Sequence, residues 1–214
     1  MPMVRSALIV IAALAGSTAY GQASDQAVIP PAESILGLSQ AEWSVKWWQW
    51  AFSFPRTSSP VSDKTGEQCG EKQPDGLWFL AGTYGTARAI RTCKVPSGRI
   101  LFFPLVNYVV YPRQGTSVSC FALASEAARL TDDPDILILQ LDGRRIDLPL
   151  SHRQVPSTCF DIGAGREPPA PLAPTAANGY YVALRPMSPG THTLDFGAIL
   201  PSLQQAVTYT LIVE

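Results

Sequence analysis

Four tryptophans fall within one short stretch of this chain: Trp43, Trp47, Trp48 and Trp50. An indole offers a broad apolar face and a single N–H donor, a combination suited to stacking on a sugar ring or lying at a membrane interface. At about 100° per residue, Trp43, Trp47, Trp50 and Phe54 form one stripe of a helix. Val45, Trp48 and Phe52 lie nearly opposite, and Glu42, Lys46, Gln49 and Ser53 make a wet edge between them. Two readings follow. The four indoles form a ligand-binding platform, or the helix is sandwiched and both apolar faces are core, each buried side chain contributing to stability. The buried reading is preferred. A membrane-surface role needs Lys and Arg along the polar stripe, and Lys46 stands alone there.

Other reactive side chains are scattered. His192 alternates with Leu194 and Phe196, which suits a structural histidine, and His152 precedes a proline-containing loop. Asp63, Asp75, Glu126, Asp135, Asp142, Asp147, Asp161 and Asp195 supply many carboxylates. A glycosidase needs two of them within roughly 5–10 Å, and spacing selects no pair; turn and cap positions account for most. There is no Gly-x-Ser-x-Gly elbow and no His-Glu-x-x-His pattern. Gly82-Thr83-Tyr84-Gly85 lacks the ending of a phosphate loop and reads as a hairpin turn. Arg88 and Arg91 form either a small anion site or the charged face of a solvated strand. No metal site and no cofactor are expected.

The compartment comes from the N-terminus. Arg5, the apolar run Ala7–Ala15 and the small residues up to Ala19 or Ala23 have the layout of a signal peptide over 1–23. The run is too short to span a bilayer, which takes roughly 20 residues, and no second long apolar segment follows. The expected product is one secreted or periplasmic domain over 24–214. Its four cysteines, Cys69, Cys93, Cys120 and Cys159, then read as disulfides. Three connectivities are open, and pairing of neighbours favours Cys69–Cys93 with Cys120–Cys159. Without a Cys-x-x-Cys knuckle, the spacing argues against zinc. A net charge of −1 with no cluster of Lys and Arg leaves nothing to attract nucleic acid.

The elements that must position these residues are short. Ser39 and Glu42 make a capping box, and Pro55 stops the chain from continuing as a helix, which places the aromatic helix at about 39–54. Residues 55–76 form a long polar loop anchored by Cys69. Leu77–Thr83 and Arg88–Cys93 read as strands around the Tyr84-Gly85-Thr86 turn. Ile100–Phe103 continues as a strand, with a bulge or edge at Pro104, and 119–130 is a second short helix. Asp142-Gly143 between Ile136–Leu141 and Arg144–Leu148 is a primed-turn hairpin that pairs Leu139 with Ile146 and Leu137 with Leu148. Gly179–Arg185, Thr191–Phe196 and Ala206–Val213 complete a mainly β fold. The expected architecture is a β-sandwich, immunoglobulin-like or jelly-roll-like, with an N-terminal aromatic helix and one further short helix.

Two resemblances bear on this. Leu184–Leu194 is similar to the inter-strand corner of bacterial immunoglobulin-like domains. Trp43–Trp50, Asp63–Cys69, Phe79–Thr83 and Leu101–Asn107 resemble a group of uncharacterised secreted bacterial proteins. That second resemblance implies export and the Cys69–Cys93 pairing, and it transfers no catalytic residue. The expected role is a secreted or periplasmic binding or accessory protein with a carbohydrate or envelope partner. The alternatives are a small hydrolase acting on polysaccharide or ester, with carboxylates or His152 in a cleft beside the aromatic helix, and a structural or assembly component of the envelope.

Overall fold

The computed structural model describes residues 27–167 and 170–214. The segment read as a signal peptide lies outside the described residues. Nine strands and two α-helices follow. Helix α1 is Gln40–Phe52 and α2 is Cys120–Thr131. The strands are β1 Leu77–Phe79, β2 Ala87–Val95, β3 Ile100–Val110, β4 Ile136–Leu141, β5 Arg144–Arg145, β6 Arg153–Gln154, β7 Ala176–Leu184, β8 Gly190–Leu200 and β9 Leu203–Val213. They form a four-stranded sheet ordered β1-β3-β7-β6 and a five-stranded sheet ordered β2-β9-β8-β4-β5. Both sheets are mixed, because β1 runs parallel to β3 and β2 parallel to β9.

The sheets face each other across one core. Val207, Tyr209, Leu211 and Val213 point inward from β9, as their alternation requires, and meet Leu101, Phe103, Val182 and Leu184 of the other sheet. Phe103 and Phe196 close this core with ring centroids 4.5 Å apart. A second core lies on the far side of the four-stranded sheet, where α1 packs against Phe79, Phe102, Tyr181 and Ala183. With both faces covered, β7 is buried along its whole length, the condition under which a strand reads as a continuous apolar run.

Local signals in the sequence are realised closely. The Ser39–Glu42 capping box is present in both directions, and Ser119 caps α2. Asp142 and Gly143 both have positive φ, and Ile146 donates to Leu139 O at 2.9 Å, as the two-residue hairpin demands. β5 ends at Arg145, so the expected pairing of Leu137 with Leu148 does not form, although both side chains pack against the core. The β3 register slips between Pro104 and Val106, which is the expected bulge.

The segment around Tyr84 departs from expectation. It is not a hairpin turn, for β1 and β2 lie in different sheets and Leu80–Thr86 carries the chain from one to the other. A crossing segment buries backbone groups that no neighbouring strand can pair, and side chains from both sides satisfy them instead. Leu80 O accepts from the Trp47 indole, Ala81 N donates to the Tyr209 hydroxyl, and Thr83 N donates to the Gln205 amide. The same Gln205 amide donates to Leu105 O at the β3 bulge. A turn of hairpin composition therefore sits where long-range packing sets the path.

Both disulfides pair neighbours: Cys69–Cys93 and Cys120–Cys159. The first fixes the 55–76 loop against β2, where Thr92 N also donates to Thr65 O. Gly66 has φ +97°, and a Cβ there would lie 2.1 Å from Thr92 O, so this close approach requires glycine.

Candidate functional site

All four helix tryptophans are buried: Trp43, Trp47, Trp48 and Trp50 are between 2 and 6% exposed. Three of their indole N–H groups hold loops in place, from Trp43 to Ile35 O, Trp47 to Leu80 O and Trp50 to Glu71 O. Trp43, Trp47 and Trp50 face the sheet, packing on Phe79 and Tyr181. They are core, as the preferred reading has it, and offer no open platform. Trp48 lies beside them, edge-on to Trp47 at 5.1 Å and to Phe52 at 6.0 Å. Its flank lines a groove.

Three hollows of about 310, 290 and 220 Å³ meet around Tyr84. The first is walled by Trp48, Phe52, Tyr84 and Tyr111, with Arg56 at its lip. Phe52 and Tyr111 meet edge-on at 6.2 Å, and the Arg56 guanidinium lies 4.5 Å from the Tyr84 ring centroid. The second runs along β3 beside Asn107, Tyr108 and Val109. There β1 has already ended, since it pairs only with Ile100–Phe102. Its polar groups are tethered: Asn107 Nδ2 donates to the Tyr181 hydroxyl at 2.8 Å, and the Tyr108 hydroxyl lies 3.0 Å from Ser202 Oγ. Burial pushes the Tyr181 phenol up against the opposing pull of Asn107 and Trp48, so it is a neutral hydroxyl at any physiological pH.

The third hollow is lined by Arg56, Asp63, Lys64, Arg88 and Arg91 among others. Arg88 and Arg91 play different parts there. Alternation along β2 turns Arg88 outward and Arg91 inward. Arg91 is 2% exposed and directs its guanidinium to the carbonyls of Val61, Asp63, Ala81 and Gly82 and to the Tyr209 hydroxyl. Five bonds account for all five of its N–H donors, so Arg91 has none left for an anion. Neither a two-arginine anion site nor a solvated strand face describes it. Asp63 accepts from Thr65 N, Thr65 Oγ1 and Gln68 N. Burial raises its pKa, but the backbone N–H groups of Gln68, Thr65 and Gly66 outweigh that and hold the carboxyl below its usual range.

Two further hollows are larger. One, of about 620 Å³, lies between the start of α1 and residues 155–160; its Glu42 is engaged by the Ser39 cap. The other, of about 670 Å³, is framed by residues 111–118 and 171–174, with Arg113, Gln114, Thr116 and Ser117 among its polar lining and three prolines beside Tyr111. Neither histidine lines any of these five hollows. His152 is buried, with Nδ1 3.1 Å from Tyr181 O, and burial pushes its pKa down. His192 Nδ1 lies 2.8 Å from Asp142 Oδ2 and Nε2 lies 3.0 Å from Ser188 O; the Asp142 bond is the main cause of its raised pKa. Asp161 accepts from Gly163 N and Leu172 N as a loop-forming carboxylate. Asp195 and Thr208 bond across β8 and β9. Among the described residues, no group of three or more His, Cys, Asp or Glu could hold a metal ion.

Sequence reasoning singles out Trp48 and Arg88 but not their companions. Phe52, four residues on from Trp48, was on the second apolar stripe and could have marked that face. Arg56, Lys64, Tyr84, Asn107 and Tyr111 come from separate loops and a strand, and no local pattern joins them.

No family model matches the chain, and no curated protein matches it. Among solved structures, the chain is similar to PbICP-C in its complex with falcipain-2, at 10% identity and a TM-score of 0.24, over 64% of this chain and 98% of that one. A likeness that slight carries no argument about fold, site or partner.

Proposed function

We propose that this is an exported β-sandwich protein that binds carbohydrate of the cell envelope or surroundings in the cleft around Tyr84. The observation that carries the reading is the wall formed by Phe52, Tyr84 and Tyr111. Phe52 and Tyr84 are half-buried and Tyr111 is 41% exposed, so part of each aromatic side chain reaches solvent near the amide and hydroxyls of Asn107, Tyr108 and Thr83. Sugar rings present C–H faces for such stacking and hydroxyls for such hydrogen bonds. The wall stands on a core that is tied by Arg91, Gln205 and a disulfide, so little conformational entropy is lost on binding. Export is supported by two disulfides. The sandwich reading is supported by two sheets sharing one core.

Affinity electrophoresis through gels containing a panel of polysaccharides tests the proposal. At least one polysaccharide should retard the protein, and Tyr111→Ala should restore its mobility. Unretarded migration through the whole panel, or retardation that Tyr111→Ala leaves intact, overturns it.

A further inference from the structure

The three hollows around Tyr84 differ in character, and the difference selects a ligand. The end walled by Trp48, Phe52 and Tyr111 is aromatic. The opposite end presents Arg56, Lys64 and Arg88, all exposed. None of these three forms an ion pair among the described residues, which is equally true of Lys46, Lys72, Arg99, Arg113 and Arg166; what sets the three apart is that they line one hollow. The chain as a whole carries a net charge of −1, so this is a local concentration of positive charge. The one carboxylate in the same hollow, Asp63, turns its oxygens onto Thr65 and Gln68. Those N–H dipoles take up much of its field. Arg91 lies behind the hollow with every donor engaged, a buried positive charge with no carboxylate directly against it. Arg56 joins the two ends, because it lies over Tyr84 and lines both hollows.

We infer that the ligand is an acidic glycan, a chain of sugars bearing carboxylate groups. One ring stacks against the aromatic end, and the carboxylates meet Arg56, Lys64 and Arg88 across Tyr84. This rests on the carbohydrate reading above and narrows it. A guanidinium pairs a carboxylate through two parallel N–H···O bonds, which fixes direction as well as charge. An acidic peptide would share the charge, but the amide of Asn107 and the hydroxyls of Thr83, Tyr108 and Ser202 along the middle hollow suit a hydroxyl-rich chain. The cations are exposed, so their contribution is screened by salt: the Debye length falls from about 10 Å at 0.1 M to about 3 Å at 1 M.

The test is calorimetric titration of the full-length secreted protein with tetragalacturonate and with its methyl ester, which has the same sugars without the charges. The acid should bind about tenfold more tightly than the ester, the scale of a few exposed ion pairs acting together, and the preference should shrink in 1 M salt. K64E/R88E, at two exposed positions, should bring the acid down to the affinity of the ester with the melting temperature unchanged. Tyr111→Ala should weaken both ligands. If acid and ester bind alike and both depend on Tyr111, the acidic-glycan inference falls while the carbohydrate reading stands. If neither binds, the acidic-glycan inference falls, and the polysaccharide panel decides the carbohydrate reading separately. Displacement of the acid by tetraglutamate at equal concentration overturns the glycan assignment in favour of an acidic peptide.

Discussion

Arg91 shows how much of this fold rests on single polar side chains. Its guanidinium fills a space between the 55–76 loop, the crossing segment and β9, and each N–H meets an acceptor. Arg91→Met keeps similar bulk but leaves buried carbonyls without donors. Each such group costs about 1–3 kcal/mol, partly relieved by entering water, so a loss of about 3–5 kcal/mol is expected in urea denaturation. The two histidines act in opposite directions with pH. His192 has its pKa raised by Asp142. Its contribution is complete below the unfolded value of about 6.5 and is lost as pH rises through the folded pKa. His152 has its pKa lowered by burial. Its neutral form supports the fold above the unfolded value, and that support declines as pH falls towards the folded pKa. Imidazole NMR titration should place the His192 midpoint above that of His152, and Asp142→Asn should lower only the His192 midpoint. Equal midpoints would contradict the geometry at both sites.

At the scale of elements, α1 is a hub whose indoles fasten three loops. Ser39→Ala removes one half of its capping box and should cost about 1 kcal/mol; an unchanged melting temperature would mean that the helix start is held by packing alone. All five tryptophans, including Trp78 at 8%, are buried. The unliganded protein should therefore show blue-shifted emission that acrylamide quenches poorly. Efficient quenching would contradict the buried helix. This is also the scale at which the sequence was most legible. The cap at Ser39, the hairpin at Asp142-Gly143, the bulge at Pro104 and the inward face of β9 are all written in residues a few positions apart, and each is realised. The parallel pairing of β2 with β9 was not legible, because a turn signal at Tyr84-Gly85 says that the chain bends and not which sheet it joins. Arg91 was misread for a related reason. Alternation does turn it inward with Ala89 and Cys93, but only the distant carbonyls of Val61, Asp63, Ala81 and Gly82 show why an arginine is tolerated there. The cleft draws its residues from five separate stretches, so only Trp48, as a platform candidate, and Arg88, as half of an anion-site candidate, stand out in the sequence.

For the whole molecule, the aromatic helix, two sheets and pinned loops build a rigid frame in which one flank of α1 is left to line a groove. Cys69–Cys93 anchors to β2 the 55–76 loop that supplies Lys64 to that groove, and closes a covalent loop with a sequence separation of 24. In the chain-entropy model its removal should lower stability by about 3 kcal/mol. Cys69→Ala/Cys93→Ala should also weaken ligand binding more than removal of Cys120–Cys159, which ties down α2 instead. The most direct measurement is NMR chemical-shift mapping of the labelled protein titrated with an acidic oligosaccharide. Shifts concentrated at Tyr84, Arg56, Lys64, Arg88 and Tyr111 are the predicted result. Shifts concentrated at residues 155–160 and the start of α1, or no saturable shifts at all, would contradict the assignment of the site.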